Sequence, residues 1–484
     1  MPYVDIVTRE DYASIFYITN TPTGSVSSFD PSKPTVVMMH PLLLGSAWTY
    51  PQTGYPRLHS DFNIICFDTR SSGQSLCKAS GEFDLWVIAA DLALAFHHLG
   101  LPPAHIFTPE LYAYASLRFA ALFPEHCLSV TLCNVPAQSE LRRIADAWEE
   151  LSPHWTHAED LESMEYCIKE VLDFFTGPDN TDPEMVDLHD DLAVWWQTTY
   201  PPFKRSLTRT NFNLIANRVP MTSEELAAVR CPLLIIQAER SETHPKQYAE
   251  ELANALINVP GGASLYLVKT SHAYLSLCSS SIVNQVFLKW LRRQPAARSD
   301  LRKPMSTAAL SDRMMSALEQ IGQWRRDPGF TMEKNPLSPI HFSCLSKEVC
   351  KSQEEMIASF EKGERAAFSP LGMDGRPLRK YSERKAHWLD GGPDGFSYTD
   401  PKRYPQMDRG KQPKYAAKNV SLKSSKRDLA VVRPEPLTEK DQLIPRSNRA
   451  NVEPANVVEK NVVKGSMARV VANSSTALPR LLNR

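Results

Sequence analysis

Seven short apolar runs set the limits on what this chain can fold into: Ala13–Thr19, Thr35–His40, Phe62–Asp68, His105–Phe107, Ser129–Asn134, Leu233–Glu239 and Ser264–Lys269. They are rich in Val, Ile, Leu and Phe and are bounded by turn residues, as strands are. Helical periodicity fills the gaps at Leu85–Leu99, Tyr112–Phe123, Lys246–Ile257 and Ile282–Leu291. Buried strands alternating with helices imply an α/β fold with a mostly parallel, doubly wound sheet.

One stretch interrupts the alternation. Residues 136–229 carry helical patterns, acidic runs and Trp148, Trp155, Trp195 and Trp196, but no convincing strand. They are expected to form a helical cap inserted over one edge of the sheet. Its tryptophans either line a pocket or pack the cap onto the core. After Arg293 the character changes again. Ser306–Trp324 places Leu310, Met314, Leu318 and Ile321 on one helical face, and Ser352–Phe360 suggests a second helix. Beyond about Phe368 the chain is rich in Pro, Lys, Ser and Asn and lacks periodicity, which predicts disorder. The units expected are a body at 1–295 containing the cap at 136–229, a tail with one or two amphipathic helices at 296–368, and a disordered basic tail at 369–484.

Charge divides the chain at the same place. Residues after 300 hold 33 Lys+Arg against 21 Asp+Glu, although the whole chain is nearly neutral at 54 against 55. A basic tail of mixed sign predicts at most weak, salt-sensitive contact with polyanions. The nine cysteines are scattered, with no CxxC pair, so neither a zinc site nor a disulfide framework is expected. Several lie inside apolar runs, which suits a reducing compartment. The N-terminal residues are too acidic for a secretory signal, and no apolar run is long enough to cross a membrane. A cytoplasmic protein is expected.

Five stretches carry a family resemblance. They are Val36–Ser46, with His40-Pro41-Leu42-Leu43-Leu44-Gly45; Phe67-Asp68-Thr69-Arg70-Ser71-Ser72-Gly73-Gln74-Ser75; His105–Glu125, ending in Leu122-Phe123-Pro124; Leu233–Ser241; and Lys269-Thr270-Ser271-His272. In this order the segments resemble the α/β-hydrolase family, in its enol-lactonase-like and esterase-like branch with a helical cap. The resemblance covers about residues 1–295. It implies an oxyanion loop in the first stretch, a nucleophile elbow in the third, an acid after the fourth and a base in the fifth.

The family's Gly-x-Ser-x-Gly elbow is absent. Counting back from Pro124, the elbow reads Thr108-Pro109-Glu110-Leu111-Tyr112, so Glu110 stands at the nucleophile's place. A carboxylate at a helix start is favoured by free N–H groups, and carboxylate nucleophiles form esters that water opens. Alternatively Glu110 only caps the helix. At the acid position stands Ser241, with Glu242 beside it as a substitute. His272 matches the base. Because Pro41 has no N–H, the oxyanion donors would be Leu42 or Leu43, with Leu111. Neither cofactor nor metal is implied. Two functions remain open at this point. One is an atypical hydrolase of an ester, lactone or similar substrate, using His272, Glu110 and Glu242. The other is an inactive hydrolase-fold protein that binds a partner or a small apolar molecule under the cap. On topology, Glu110 is expected to face His272 across the pocket at the carboxyl ends of the strands.

Overall fold

The structure, a computed structural model, describes residues 2–177 and 183–384. One sheet contains β1 (Tyr3–Val7), β2 (Tyr12–Thr19), β3 (Thr35–Met39), β4 (Asn63–Phe67), β5 (Ala104–Pro109), β6 (Cys127–Cys133), β7 (Leu233–Ala238) and β8 (Ser264–Val268). Their order across the sheet is β1-β2-β4-β3-β5-β6-β7-β8, with the two-residue strand Leu76–Cys77 paired to β2. β2 runs antiparallel to both of its neighbours, β1 and β4. The pairs from β4 through β8 are all parallel. The seven apolar runs each hold a strand. β1 is additional: Val4 and Ile6 are buried while Asp5 and Val7 are exposed, a short edge alternation broken by a charge.

Alternate residues of the central strands feed two cores. Val37, Ile65, Ile106, Val130 and Ile235 face one layer, while Val36, Met38, Ile64, Phe107 and Ile236 face the other. On the first face lie α1 (Leu85–His98), between β4 and β5, and α2 (Ala113–Leu122), between β5 and β6. From β6 to β7 the chain forms α3 (Arg142–Thr156), α4 (Leu161–Thr176), α5 (Pro183–Thr199), α6 (Arg205–Ala216) and α7 (Ser223–Ala227), and among the described residues no strand. α8 (Lys246–Ala255) joins β7 to β8, and α9 (Ser280–Leu291) packs Val283 and Phe287 on the second face.

α1 explains what the following segment does. Leu85 through Phe96 are buried without exception, and a helix apolar all round needs cover on both sides. The sheet covers one side. The other is covered by the segment after 300: the turn Pro339–Phe342 packs on α1, and α10 (Thr307–Arg325) brings Leu310, Met314, Leu318 and Ile321 into the same core. Each such side chain contributes roughly 1.5–3 kcal/mol on burial, before ordering costs. Asp84 caps α1 through the amides of Trp86 and Val87 at 2.8 and 3.1 Å. Its second oxygen accepts the amide of Cys344 at 2.8 Å, so one carboxylate starts the helix and pins the extension. α11 (Lys347–Glu361) then reaches the inserted helices, where Arg205 Nε donates to the Phe360 carbonyl at 2.6 Å.

The reading of everything after 368 as disordered is corrected for residues 369–384. Leu371 and Pro377 form a β-bridge. Arg379 Nε donates to Glu165 on α4 at 2.9 Å, and Ser382 binds Asp190 on α5 through its amide and hydroxyl, both at 2.7 Å. Composition alone does not reveal such anchors, because they depend on acids that lie some 190 to 220 residues away. The rest of the expected basic tail, 385–484, lies outside the described residues, and with it most of the surface read as a polyanion contact. No described helix is long and apolar enough to cross a membrane.

The turn after β4 is held by charge. Arg70 is buried and forms paired hydrogen bonds to Asp11 (2.7 and 2.7 Å) and to Asp91 (2.7 and 2.8 Å). Burial pushes the Asp91 carboxyl up to about 6 despite the guanidinium. In the same turn Gly73 has φ +55°, and a Cβ there would fall 2.0 Å from Asp68 Oδ2. Asp68 is itself spent on the amides of Ser46 and Gln74. Removing Arg70 would strand two buried carboxylates. Arg70→Met is therefore expected to cost about 3–5 kcal/mol in denaturant melts, whereas Arg298→Ala, which breaks a fully exposed pair with Asp300, is expected to leave the melt essentially unchanged. Equal effects would refute this account.

Candidate functional site

β5 ends at Pro109, and the chain turns sharply through Glu110–Tyr112 into α2. Glu110 has φ 48°, a left-handed conformation that a side-chain-bearing residue adopts at some cost. A strand, one strained residue and a helix make the geometry of a nucleophile elbow, at the residue reached by counting back from Pro124. The family's small flanking residues are replaced without loss of packing. Thr108 Oγ1 lies 2.7 Å from Ser116 Oγ, and the Tyr112 hydroxyl accepts from Thr69 Oγ1 at 3.0 Å.

The Glu110 side chain is fully buried. Its Oε2 accepts the backbone N–H of Leu42 at 2.9 Å, while Oε1 has no hydrogen-bond partner. Burial raises its carboxyl well above the usual carboxylate range, and the Leu42 amide only partly opposes the shift. Burial thus favours the protonated, neutral form of Glu110, which is held against the Leu42 amide, the expected oxyanion donor. The loop bearing Leu42 is fixed from beneath. His40 Nε2 accepts the Thr69 amide at 3.0 Å and its Nδ1 donates to the Pro41 carbonyl at 2.8 Å. From above, the Tyr274 hydroxyl donates to the Leu42 carbonyl at 2.6 Å. Leu43 has φ 60°, and its carbonyl accepts the indole N–H groups of both Trp195 and Trp196, at 3.2 and 3.1 Å. Leu43 and Leu111 are buried beside Glu110, yet neither donates to its carboxyl.

His272 is not brought to Glu110. Its Nδ1 donates to the Thr176 carbonyl at 2.6 Å. The cause is the C-terminal end of α4, which docks on the loop after β8. There the Phe175 carbonyl accepts the amides of Ala273 and Tyr274 at 2.8 and 2.9 Å, and the Phe175 ring stacks on Tyr274 with centroids 4.1 Å apart. No hydrogen bond or ion pair joins the Glu110 and His272 side chains. The Glu242 assignment is corrected. Glu242 is exposed and makes no bond to His272, because Ser241 Oγ accepts the amide of His244 at 3.1 Å and turns that loop inward two residues past Glu242.

What lines the elbow instead is a closed set. A cavity of about 20 Å³ is bounded by Leu42, Glu110, the aromatic residues Trp148 and Phe175, His244 and the Glu140–Arg218 ion pair. That is space for about one water. Sequence reasoning missed His244. The available signal was its place just after β7, at the carboxyl ends of the strands. Burial pushes its imidazole down to about 3, with Arg218 adding to the effect, so it too is neutral. Trp148 lines the cavity, while Trp155 and Trp196 pack within the inserted helices, 6.1 Å apart by ring centroid. No described cluster of His, Cys, Asp and Glu could hold a metal ion.

The mostly parallel sheet and its strained strand-to-helix elbow define an α/β-hydrolase fold. No family model matches the chain, and no curated protein matches it. Among solved structures, the enol-lactonase from Burkholderia xenovorans LB400 is 17% identical over 60% of this chain and 100% of that one, at a TM-score of 0.47. A thermophilic esterase from Thermogutta terrifontis is 16% identical over 60% and 99%, also at 0.47. A bromoperoxidase from Bacillus anthracis gives the same figures as the esterase.

The buried acid has a consequence for stability. In the unfolded chain Glu110 loses its proton near the ordinary value of 4.5, but in the folded chain it keeps it to higher pH. Its contribution to stability is full below the unfolded value and is lost as pH rises toward the folded value. Glu110→Gln replaces the neutral acid by a neutral amide that does not titrate. The melting temperature of the variant minus that of the wild type should therefore grow by roughly 2 °C or more between about pH 5 and about pH 8. A difference that stays constant would mean that Glu110 is charged in the folded chain.

Proposed function

We propose that this chain is a non-catalytic α/β-hydrolase-fold protein whose role is binding rather than hydrolysis. The observation that carries the reading is the Glu110–Leu42 hydrogen bond, in which the residue at the nucleophile's place occupies the amide an oxyanion would need. A protonated carboxyl is not a nucleophile, and preorganised donors act only when they are free to meet developing charge. The size of the elbow cavity speaks in addition against a small apolar ligand beneath the inserted helices.

A second reading, an atypical hydrolase of an ester or lactone, is favoured by one observation. Glu110 keeps a strained φ of 48°, and strain of this kind gathers at functional sites. In that case α4 would have to withdraw from the loop after β8, freeing His272 from Thr176.

A panel of p-nitrophenyl esters, lactones and epoxides separates the two, assayed with the full chain, His272→Ala and Glu110→Gln. The expected outcome is no turnover by the wild type above either variant. Hydrolysis that disappears in both variants would overturn the non-catalytic reading and establish the other.

A further inference from the structure

A second cavity, apart from the one at the elbow, lies at the other edge of the sheet from Glu110. α1 and α2 both finish at the N-terminal ends of the strands that follow them, and α10 crosses there. Between them is a space of about 140 Å³ walled by Phe96, Leu101, Phe123, Leu310 and Met314. An apolar void of about 150 Å³ is large enough for a benzene ring.

The mouth of this cavity is charged. Arg302 and Lys303 line it and are exposed, and among the described residues neither side chain has an ion-pair or hydrogen-bond partner. Glu125, the acid at the rim, is already bound to Arg313 at 2.8 Å. The backbone fixes the cations in place. The Arg302 amide donates to the Gly100 carbonyl at 2.7 Å, and Gly100, at φ +61°, approaches so closely that a Cβ there would lie 2.3 Å from the Arg302 carbonyl. One polar atom beside the cavity is also unspent: His126 Nδ1 is buried with no hydrogen-bond partner.

We propose that this cavity binds a small amphipathic monocarboxylate, aryl or short-chain. Its apolar body sits among Phe96, Leu101, Phe123, Leu310 and Met314, and its carboxylate faces Arg302 and Lys303. Charge complementarity selects the occupant. A neutral aromatic would fill the space and leave both cations unpaired, and a dicarboxylate would bury a second charge against apolar walls. His126, kept neutral by burial that pushes its imidazole down to about 4, can offer an Nδ1–H to the ligand without adding charge. Because α10 forms one wall, a bound ligand would also join the extension to the body. The site shares no residue with the elbow, so it stands or falls independently of the non-catalytic reading.

The test uses the full chain labelled at methionine methyls and titrated with sodium benzoate at low salt, with benzyl alcohol as the neutral control. Benzoate is expected to shift the Met305 and Met314 signals with a Kd of about 1 mM. Benzyl alcohol should bind more weakly. The double variant Arg302→Ala, Lys303→Ala alters only exposed residues and so should fold. It should bind benzoate roughly three- to tenfold more weakly, and added salt should have the same direction of effect. No shift at Met305 or Met314 up to about 20 mM benzoate, some twentyfold above that Kd, would overturn the proposal. So would equal binding of the acid and the alcohol, or unchanged affinity in the double variant.

Discussion

A single buried hydrogen bond organises the upper edge of this sheet. Glu110 at the end of β5 and Leu42 in the loop after β3 come from adjacent parallel strands. Their contact converts a place that would otherwise need water or ligand into packed interior. Burying a carboxyl is tolerable only if it is neutral or paired, and here burial shifts Glu110 toward its neutral form. The surroundings agree with that choice: His244 is neutral as well, and the one charged pair, Glu140 with Arg218, cancels itself. Aromatic rings from the inserted helices can then close over the elbow without leaving a charge unanswered.

Much of the fold was legible because parallel strands covered on both faces must be apolar throughout, and such runs stand out without an alignment. The elbow was legible for a different reason. The distance from strand end to the Pro124 turn is fixed by the length of α2, so Glu110 could be placed by counting even though no serine or glycine marked it. The catalytic partners were not legible. The orientation of His272 is decided by the carbonyl of Thr176, which lies 96 residues away on a helix whose docking has no local signature. The inward turn at His244 depends on a single Ser241 hydroxyl. The apolar face of α10 could be read from its spacing, but not the surface it covers. Only the burial of α1 on every side, seen in three dimensions, shows why that face exists.

The two faces of the molecule treat charge differently. At the carboxyl ends of the strands, acids and bases are neutralised, paired or buried, and little space remains. At the amino ends, beneath α10, apolar space is kept open and cations are left uncompensated at its mouth. A hydrolase-fold protein is commonly thought of through its upper edge. In this chain the lower edge has the features that recognition ordinarily requires: volume, apolar walls and unspent charge.

The carbonyl of Leu43 receives two indole N–H groups, one from each of two successive residues of α5. Lifting α5 would leave three polar groups unsatisfied at once, so the loop after β3 and the inserted helix can separate only as a unit. Exposure of the elbow then becomes a sub-global opening event whose free energy is set by cooperative unfolding rather than by the swing of a hinge. Amide protons around Leu42 and along α5 would exchange with solvent together, on one slow clock, and any molecule seeking Glu110 would have to wait for it.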